Sequence, residues 1–388
     1  MRVNPLKGGV SPCAREKMMP CASAQSWRPF ENTRDGEASG SDVPIDGEDR
    51  FKLMASIPRV TLYTSLPPRL VRQSRGEDYG EAYQRECINS WREAGFRVVS
   101  VNPGCELNCL RENRLDIEFI PSGSSCERTK IGDILSAIRN SGEGVAGIIN
   151  GDCFLMSPGR AIGNMLEAAR GSILLLERMD IDPKTMRATG LGYMGFDAFF
   201  FDAQFVSKIE GGDDWTIGEP VWDYWFPLVM HAAGAILKTA DVPLIAHLNH
   251  ERRWSDIKSE ASGAKLFRLL ALMELEGRLP EALAKRVGEF NARLESGQID
   301  VGTAWRECVI PWLKTFPERA LLSAPGSPGD FVCRLLAGMA NSNEFRFERQ
   351  LHTVTFALWL QSTRRAVARI GNRASRRLQT AFLRAGRN

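Results

Sequence analysis

The sequence lacks any pair of cysteines at metal-binding or redox spacing, although it contains nine cysteines. The closest two, Cys105 and Cys109, are followed by no second Cys or His pair at zinc-finger spacing. Disulfide frameworks are typical of short secreted chains, whereas this chain has 388 residues. We therefore expect reduced, mostly buried thiols and a cytoplasmic protein.

Long apolar runs are also missing. No run approaches the roughly 20 residues that span a bilayer, and no apolar h-region follows the basic residues near the N-terminus. The sequence thus predicts neither a transmembrane helix nor a secretory signal. Residues 1–52 are rich in Ser, Gly, Pro, Asp and Glu and lack hydrophobic periodicity, which predicts disorder. A leader recognised by a secretion apparatus is the functional alternative for this segment.

Negative charge is absent from the C-terminal end, where no Asp or Glu follows Glu348. The whole chain has a net charge of only +3, and aromatic residues are not interleaved with the terminal arginines, so no nucleic-acid partner is expected. Residues 362–388 place arginines around an apolar stripe that includes Val367, Ile370 and Phe382. This pattern predicts a basic amphipathic tail that binds the anionic surface on the inner face of a membrane. A solvated helix packed on its own domain is the alternative.

The part of the chain before residue 262 alternates predicted strands and helices. This order is typical of an α/β domain, in which helices cover both faces of a mostly parallel sheet. The predicted strands are residues 59–65, 96–101, 115–120, 145–149, 172–177, 196–201 and 242–250, and the predicted helices are residues 81–95, 129–140 and 159–170.

From about residue 262 the pattern becomes helical, with Gly and Pro between the segments. The predicted helices here are residues 265–276, 280–294, 303–316, 329–339 and 345–369. The predicted organisation is therefore a disordered segment, a catalytic domain, a helical region and a basic tail. These four parts cover residues 1–52, 53–261, 262–361 and 362–388.

The strongest candidate for a binding site follows the apolar run Val145–Ile149. This run suits a strand buried on both faces of a parallel sheet, and it breaks abruptly into Asn150-Gly151-Asp152. Open α/β sheets bind ligands beyond the carboxyl ends of such strands. A carboxylate there can hold a divalent metal against a diphosphate. An ordinary turn at the end of a strand is the alternative, because these residue types also favour turns.

A glycine motif elsewhere carries less weight. Residues 190–195 match G-x-G-x-x-G, but no buried strand leads into them and an aromatic strand follows where a helix should begin. We predict a turn-rich loop at residues 190–195 rather than a dinucleotide site.

Further polar residues are candidates for the same site. Asp197 precedes the aromatic strand, and Glu219 and Asp223 are four residues apart, so they share a face if that segment is helical. His247 and His250 lie at the end of the last predicted strand, in an order that differs from the His-Glu-x-x-His of zinc proteases. For His250 a structural hydrogen-bonding role is favoured over metal ligation. The neighbouring Trp222, Tyr224 and Trp225 can stack on sugar rings or pack in a core.

The order of these parts resembles the GT-A glycosyltransferases, the nucleotide-diphospho-sugar transferases, over about residues 56–260. The resemblance implies a GT-A-like, Rossmann-related sheet with a nucleotide-sugar donor and a hydroxyl acceptor. Asp152 matches the last carboxylate of the family's Asp-x-Asp motif, which holds Mn²⁺ or Mg²⁺, while Asn150 replaces the first. His247 matches the late histidine that completes the metal shell.

The resemblance also implies roles for other residues. Asp223, or failing it Glu219, lies where inverting members carry the carboxylate that deprotonates the acceptor. Substrate contacts are expected from the remaining candidates, which are Thr64, Ser65, Asn150, Asp197 and Trp222. A non-catalytic protein that binds a sugar nucleotide or a partner on the same fold is the alternative, and Asn150 favours it. A nucleotidyltransferase is disfavoured, because Leu66-Pro67-Pro68-Arg69 stands where its glycine-rich loop would be.

Overall fold

The structure is a computed structural model that describes residues 60–322, except residues 75–76, 114, 124–127, 157–158, 184–186, 241–242, 251–254 and 321. The predicted disordered segment, the predicted helices at 329–339 and 345–369, and the basic tail lie outside the described residues. None of the helices that the structure describes is both long enough and apolar enough to cross a membrane.

The described chain contains both strands and helices. The strands are β1 (Thr61–Thr64), β2 (Gln73–Ser74), β3 (Glu77–Asp78), β4 (Arg97–Asn102), β5 (Glu118–Pro121), β6 (Val145–Ile149), β7 (Cys153–Leu155), β8 (Ser172–Asp182), β9 (Arg187–Asp202), β10 (Ile236–Ala240), β11 (Ile245–Leu248) and β12 (Glu318–Ala320). The α-helices are α1 (Gly80–Glu93), α2 (Leu107–Glu112), α3 (Ile131–Ser141), α4 (Gly159–Ala169), α5 (Trp222–Ala232), α6 (Asp256–Leu275), α7 (Glu281–Glu295) and α8 (Val301–Thr315).

One mixed sheet contains all the described strands except β2 and β3, which pair with each other. Its strand order is β12-β10-β8-β9-β6-β1-β4-β5. Along this path the pairs are parallel except at β9, which runs antiparallel to both β6 and β8. Strand β11 pairs parallel with β8 and antiparallel with β7. The segments that follow β1, β4, β6 and β11 therefore meet at one edge of the sheet. The predicted α/β class, a mostly parallel sheet with flanking helices and a helical C-terminal region, is confirmed.

The centre of the sheet shows why these residues form buried strands. Strand β6 lies between β1 and β9, as its run of small and β-branched residues predicts. A Cβ at Gly147 would lie 2.7 Å from side-chain atoms of both Leu62 and Phe200, so only glycine permits this packing. In β9 the aromatic residues alternate, with Phe199 and Phe201 in one core and Phe200 in the other.

The two faces of the sheet carry separate hydrophobic cores. Helix α1 contributes Trp91 to one core, and α3 contributes Ile134 to the other. The second of these cores continues through Leu270 and Trp305, so the C-terminal helices pack on the sheet directly. Helix α6 begins at Asp256, nine residues before the start of the predicted helix at 265–276.

Three strand predictions need correction. The predicted loop at residues 190–195 is wrong, because these residues belong to β9 and pair with β8. Strand β8 does not end at residue 177 but continues to Asp182, where the long antiparallel pairing satisfies its backbone groups. The predicted strand at 242–250 is shorter, and β10 precedes it as a separate strand.

Candidate functional site

A cleft of about 960 Å³ opens where the ends of the strands meet the C-terminal helices. Its lining includes every residue predicted from the sequence for the site except Thr64 and Trp225, and α6 and α8 add Glu260 and Arg306. The cleft also receives the turn after β6, where a Cβ at Gly151 would lie 3.1 Å from the carbonyl oxygen of Ser65. The cleft therefore lies beyond the carboxyl ends of the strands, where the sequence predicted a binding site.

Asp152 and two histidines form the most concentrated polar group in the cleft. The Oδ2 atom of Asp152 lies 3.4 Å from Nε2 of His247 and 3.6 Å from Nε2 of His250. Asp152 follows β6 and the two histidines belong to β11 and the turn after it, so parallel strand ends bring them together. The sequence predicted that Asp152 and His247 share this edge, and the structure adds His250 to the pair.

His247 is held in a fixed orientation by a second carboxylate. Its Nδ1 lies 3.0 Å from Oδ1 of Asp180, which leaves Nε2 directed at Asp152. Burial lowers the pKa of the His247 ring, but the carboxylates of Asp152 and Asp180 outweigh it and raise that pKa above its ordinary value. Burial acts to raise the pKa of Asp152, and His247, His250 and Arg72 together hold it well below its usual range.

The donor atoms of this group fit a divalent metal. One carboxylate and two imidazoles, with ligand atoms all within 4.8 Å of one another, could hold an ion. Two ligands at about 2.1 Å from one tetrahedral ion are roughly 3.4 Å apart, close to the separations from Asp152 to His247 and His250. The contact from Asp180 to Nδ1 of His247 is the outer-shell partner that metal-binding histidines commonly have. The two imidazoles suit Zn²⁺, and the carboxylate suits Mg²⁺ or Mn²⁺.

Asn150 and Asp197 are part of a neighbouring hydrogen-bond network. Asn150 donates from Nδ2 to Oδ1 of Asp197, while Arg178 donates from Nη1 to Oδ2 of Asp197 at 2.9 Å. The Nε atom of Arg178 also lies 2.9 Å from Asp180, so this network reaches His247. A carboxylate at position 150 would face the carboxylate of Asp197. The amide therefore suits this position, which explains the departure from Asp-x-Asp locally.

The pKa of the Asp223 carboxyl group is raised far above that of an ordinary aspartate. Asp223 lies in the first turn of α5, where its Oδ2 accepts the backbone N–H of Phe196 at 3.2 Å. Burial, together with the nearby negative charge of Asp197, raises the pKa of Asp223 to about 8. The helix begins after Val221, which has a φ of 80° and is the only non-glycine residue with positive φ among those described. Such strain is common at functional sites.

Glu219 does not share a helix face with Asp223, so that prediction is wrong. Helix α5 begins at Trp222, and Glu219 lies in the turn before it. The Oε1 atom of Glu219 contacts Nζ of Lys258 at 2.7 Å and Nη1 of Arg128 at 3.6 Å. Two cations therefore engage this carboxylate, so Glu219 is the less available of the two candidate carboxylates.

The remaining predicted contacts differ in exposure. Trp222 is 2% exposed and packs edge-on against Phe199, with ring centroids 5.5 Å apart, which favours core packing over stacking on a sugar. Thr64 is fully buried at the end of β1. The next residue, Ser65, lines the cleft and donates to Oγ1 of Thr129 at 2.8 Å.

Four residues of the site were missed by sequence analysis. The hydroxyl of Tyr83 donates to the carbonyl of Asp152 at 2.8 Å and accepts the N–H of Leu248 at 3.0 Å, so it ties the two ligand-bearing segments together. The others are Arg72, Arg178 and Asp180. The alternation of charged and apolar residues from 178 to 182 is a strand signal that could have extended β8. No local pattern indicates Arg72 or Tyr83.

Comparison with known proteins gives fold similarity without a sequence match. No protein-family model and no curated protein sequence matches the chain. The chain is similar to the structure of S. aureus TarS 1-349 in complex with UDP-GlcNAc, with 10% identity, a TM-score of 0.41, and 79% of this chain and 92% of that chain covered. A longer S. aureus TarS structure is 11% identical with a TM-score of 0.42, and its match covers 78% of this chain and 55% of that one.

A third similar structure is the mannosyltransferase PcManGT from Pyrobaculum calidifontis in complex with GDP-Man and Mn²⁺. It is 11% identical with a TM-score of 0.41, and the match covers 82% of this chain and 94% of that chain.

Proposed function

We propose that this chain is a glycosyltransferase that moves a sugar from a nucleotide-diphospho-sugar to a hydroxyl acceptor. The observation that carries the proposal is the meeting of two groups in one cleft. One group is the metal-capable set of Asp152, His247 and His250, and the other is the carboxyl of Asp223 with its raised pKa. The first suits a diphosphate and the second suits a proton transfer near neutral pH.

The proposed reaction assigns the proton to Asp223. The acceptor oxygen forms a bond to the anomeric carbon, and its proton passes to the ionised carboxylate of Asp223. The bond from the anomeric carbon to the diphosphate oxygen breaks, and the nucleoside diphosphate leaves with the electron pair. A carboxylate with a pKa of about 8 is a stronger base than an ordinary aspartate, which favours the transfer.

A divalent ion, Mn²⁺ or Mg²⁺, would be held by Asp152, His247 and His250. When bound, such an ion neutralises the charge that develops on the leaving diphosphate. The chain's own contribution is to orient these ligands. Asp180 fixes the ring of His247, and Tyr83 joins the backbone of Asp152 to that of Leu248.

The proposal is tested by a thermal-shift panel of UDP, GDP and their sugars, with and without Mn²⁺. The full chain should be stabilised by a nucleotide diphosphate only when Mn²⁺ is present, and Asp152→Asn should lose this metal-dependent shift. Asp116→Asn is the matched control, because Asp116 is an exposed carboxylate paired with Arg92 outside the cleft. Equal shifts in Asp152→Asn and the wild type would contradict the assignment of the metal site.

The second candidate is a non-catalytic protein that binds a sugar nucleotide or a partner. The ion pair between Arg72 and Asp152 favours it, because a cation of the chain already engages the candidate metal ligand. The two functions differ in turnover. Release of nucleoside diphosphate from a stabilising nucleotide sugar, measured by a coupled assay, supports the transferase, and binding without release supports the second candidate.

We further propose a cytoplasmic enzyme that docks on an anionic membrane through residues 362–388. This tail lies outside the described residues, and the proposal rests on its sequence alone. An acceptor linked to a lipid would then be within reach of the cleft.

A further inference from the structure

Arg72 has an unusual position for a charged side chain, because it is nearly enclosed beside the candidate metal ligands. Its side chain is 2% exposed, and its Nη2 atom makes an ion pair with Oδ2 of Asp152. Its Nη1 atom donates to the carbonyl of Val71 at 2.9 Å. Its Nε atom is buried and has no hydrogen-bond partner among the residues that the structure describes. Among the described residues, one carboxylate oxygen therefore provides most of the compensation for burying this positive charge.

That oxygen is the one that faces both histidines. The Oδ2 atom of Asp152 lies 3.4 Å from Nε2 of His247 and 3.6 Å from Nε2 of His250. An ion bound by these three atoms would lie against the same Oδ2 that Arg72 contacts. The guanidinium and the ion would then share one carboxylate, and the Arg72 side chain is almost fully buried there.

Two cations on one carboxylate repel each other more strongly in a partly buried cleft than in water. The other acidic groups nearby are already engaged, since Asp180 contacts His247 and Arg178, and Asp197 contacts Arg178. A divalent ion therefore has to weaken the pair between Arg72 and Asp152 in order to bind.

We propose that Arg72 is an internal counter-cation of the metal site, which neutralises Asp152 while no divalent ion is bound and competes with the ion for Oδ2. This inference rests on the proposed function in so far as that function makes Asp152 a metal ligand. It predicts that the site binds metal less tightly than its ligands would allow. Displaced from Asp152, the guanidinium is free to meet the anionic diphosphate, since Arg72 lines the same cleft.

A purely structural role for Arg72 makes the opposite prediction. The N–H of Arg72 donates to Asp78 at 2.9 Å, and the side chain joins its segment to the turn after β6. If Arg72 served only as this brace, its removal would loosen Asp152 and weaken metal binding. The sign of the change in metal affinity therefore separates the two roles.

The experiment measures Mn²⁺ affinity of the full chain without nucleotide, by calorimetry and by the electron paramagnetic resonance signal of free Mn²⁺. Arg72→Met should bind Mn²⁺ about 10- to 100-fold more tightly than the wild type, the range over which groups around the ligands alter metal affinity. Arg72→Lys keeps a cation and should change the affinity less. Arg128→Met is the matched control, because Arg128 lines the cleft but pairs with Glu219, and it should leave the affinity unchanged.

Unchanged or weaker Mn²⁺ binding by a folded Arg72→Met variant would overturn the proposal, as would the absence of Mn²⁺ binding by both proteins. If Arg72→Met fails to fold, competition between Arg72 and the metal is tested in the wild type by NMR with ¹⁵N-labelled arginine. The guanidinium signal of Arg72, assigned with Arg72→Lys, should shift during a Zn²⁺ titration with the midpoint of metal binding. A signal that stays in place at saturating Zn²⁺ would overturn the competition.

Failure of the proposed function gives a different result. Titrations with UDP and GDP run in parallel on the wild type. If neither nucleotide binds with or without Mn²⁺, the glycosyltransferase proposal fails, while a tighter Mn²⁺ site in Arg72→Met still supports the role of Arg72.

Discussion

Asp180 and His247 lie directly opposite each other on the parallel strands β8 and β11, and Nδ1 of His247 is 3.0 Å from Oδ1 of Asp180. Cross-strand partners share a face of the sheet, so the register of two strands sets this contact. The contact keeps the Nε2 atom of His247 toward Asp152. The sheet itself thus orients a candidate metal ligand, without help from a flexible loop.

The first prediction concerns this pair. Asp180→Asn should weaken Mn²⁺ binding about 10- to 100-fold, because the amide supports the ring of His247 less well than the carboxylate does. Calorimetric titration of the full chain measures the change. Asp116→Asn, an exposed carboxylate outside the cleft, serves as the control and should bind Mn²⁺ like the wild type. An Asp180→Asn variant with wild-type Mn²⁺ affinity would show that the contact does not support a metal ligand.

The second prediction concerns the base. Asp223→Asn should reduce the transfer rate about 10²- to 10⁴-fold, the usual contribution of a general base. In the wild type, kcat/KM should rise with pH until about 8, because Asp223 must be ionised to accept a proton. Glu219→Gln is the comparison, and its effect should be smaller, because Lys258 and Arg128 already engage that carboxylate. A larger loss of transfer rate in Glu219→Gln than in Asp223→Asn would identify Glu219 as the base instead of Asp223.

The third prediction links Asp223 to stability. Its pKa is about 8 in the folded chain and about 4 when unfolded, so folding binds a proton between these pH values. The free energy of unfolding should therefore fall as pH rises through this window. Asp223→Asn removes this dependence. Between pH 6 and 8 its free energy of unfolding should therefore rise by about 1–2 kcal/mol relative to that of the wild type.

Chemical denaturation at several pH values measures this gain. The exposed Asp214, which pairs with Lys265, provides the control in Asp214→Asn, and its stability should follow the wild-type profile. Parallel profiles for Asp223→Asn and the wild type would mean that Asp223 has an ordinary pKa in the folded chain.

The fourth prediction concerns the basic tail. Liposomes with anionic lipid should sediment the full chain but not a version that ends at Gln361, since each Arg near an anionic surface contributes about 1 kcal/mol. The binding should weaken as salt rises, because charges are screened beyond about 10 Å at 0.1 M ionic strength. Neutral liposomes are the control. Equal sedimentation of both versions would favour a tail that packs on its own domain.

Local patterns in the sequence determined the elements of the fold and the edge that carries the site. The β-branched run at Val145–Ile149 predicted the central strand, and the polar residues after it predicted the ligand-binding edge. The sequence placed His247 at this edge because it lies near the end of a strand whose apolar residues predict burial. These inferences succeeded because burial and strand ends leave their mark within a few residues of sequence.

Tertiary structure alone decided which distant side chains complete the site. Arg72 meets Asp152 across 80 positions of sequence, and Tyr83 meets Leu248 across 165. The long pairing of β8 with β9 turned a predicted loop into a strand and placed Arg178 and Asp180 in the cleft. Spacing along the chain specifies helix faces and strand faces, but contacts between distant segments depend on sheet register and on how both cores close. For that reason the sequence predicted a metal-binding role for Asp152, and only the folded chain shows the ion pair that Arg72 makes with it.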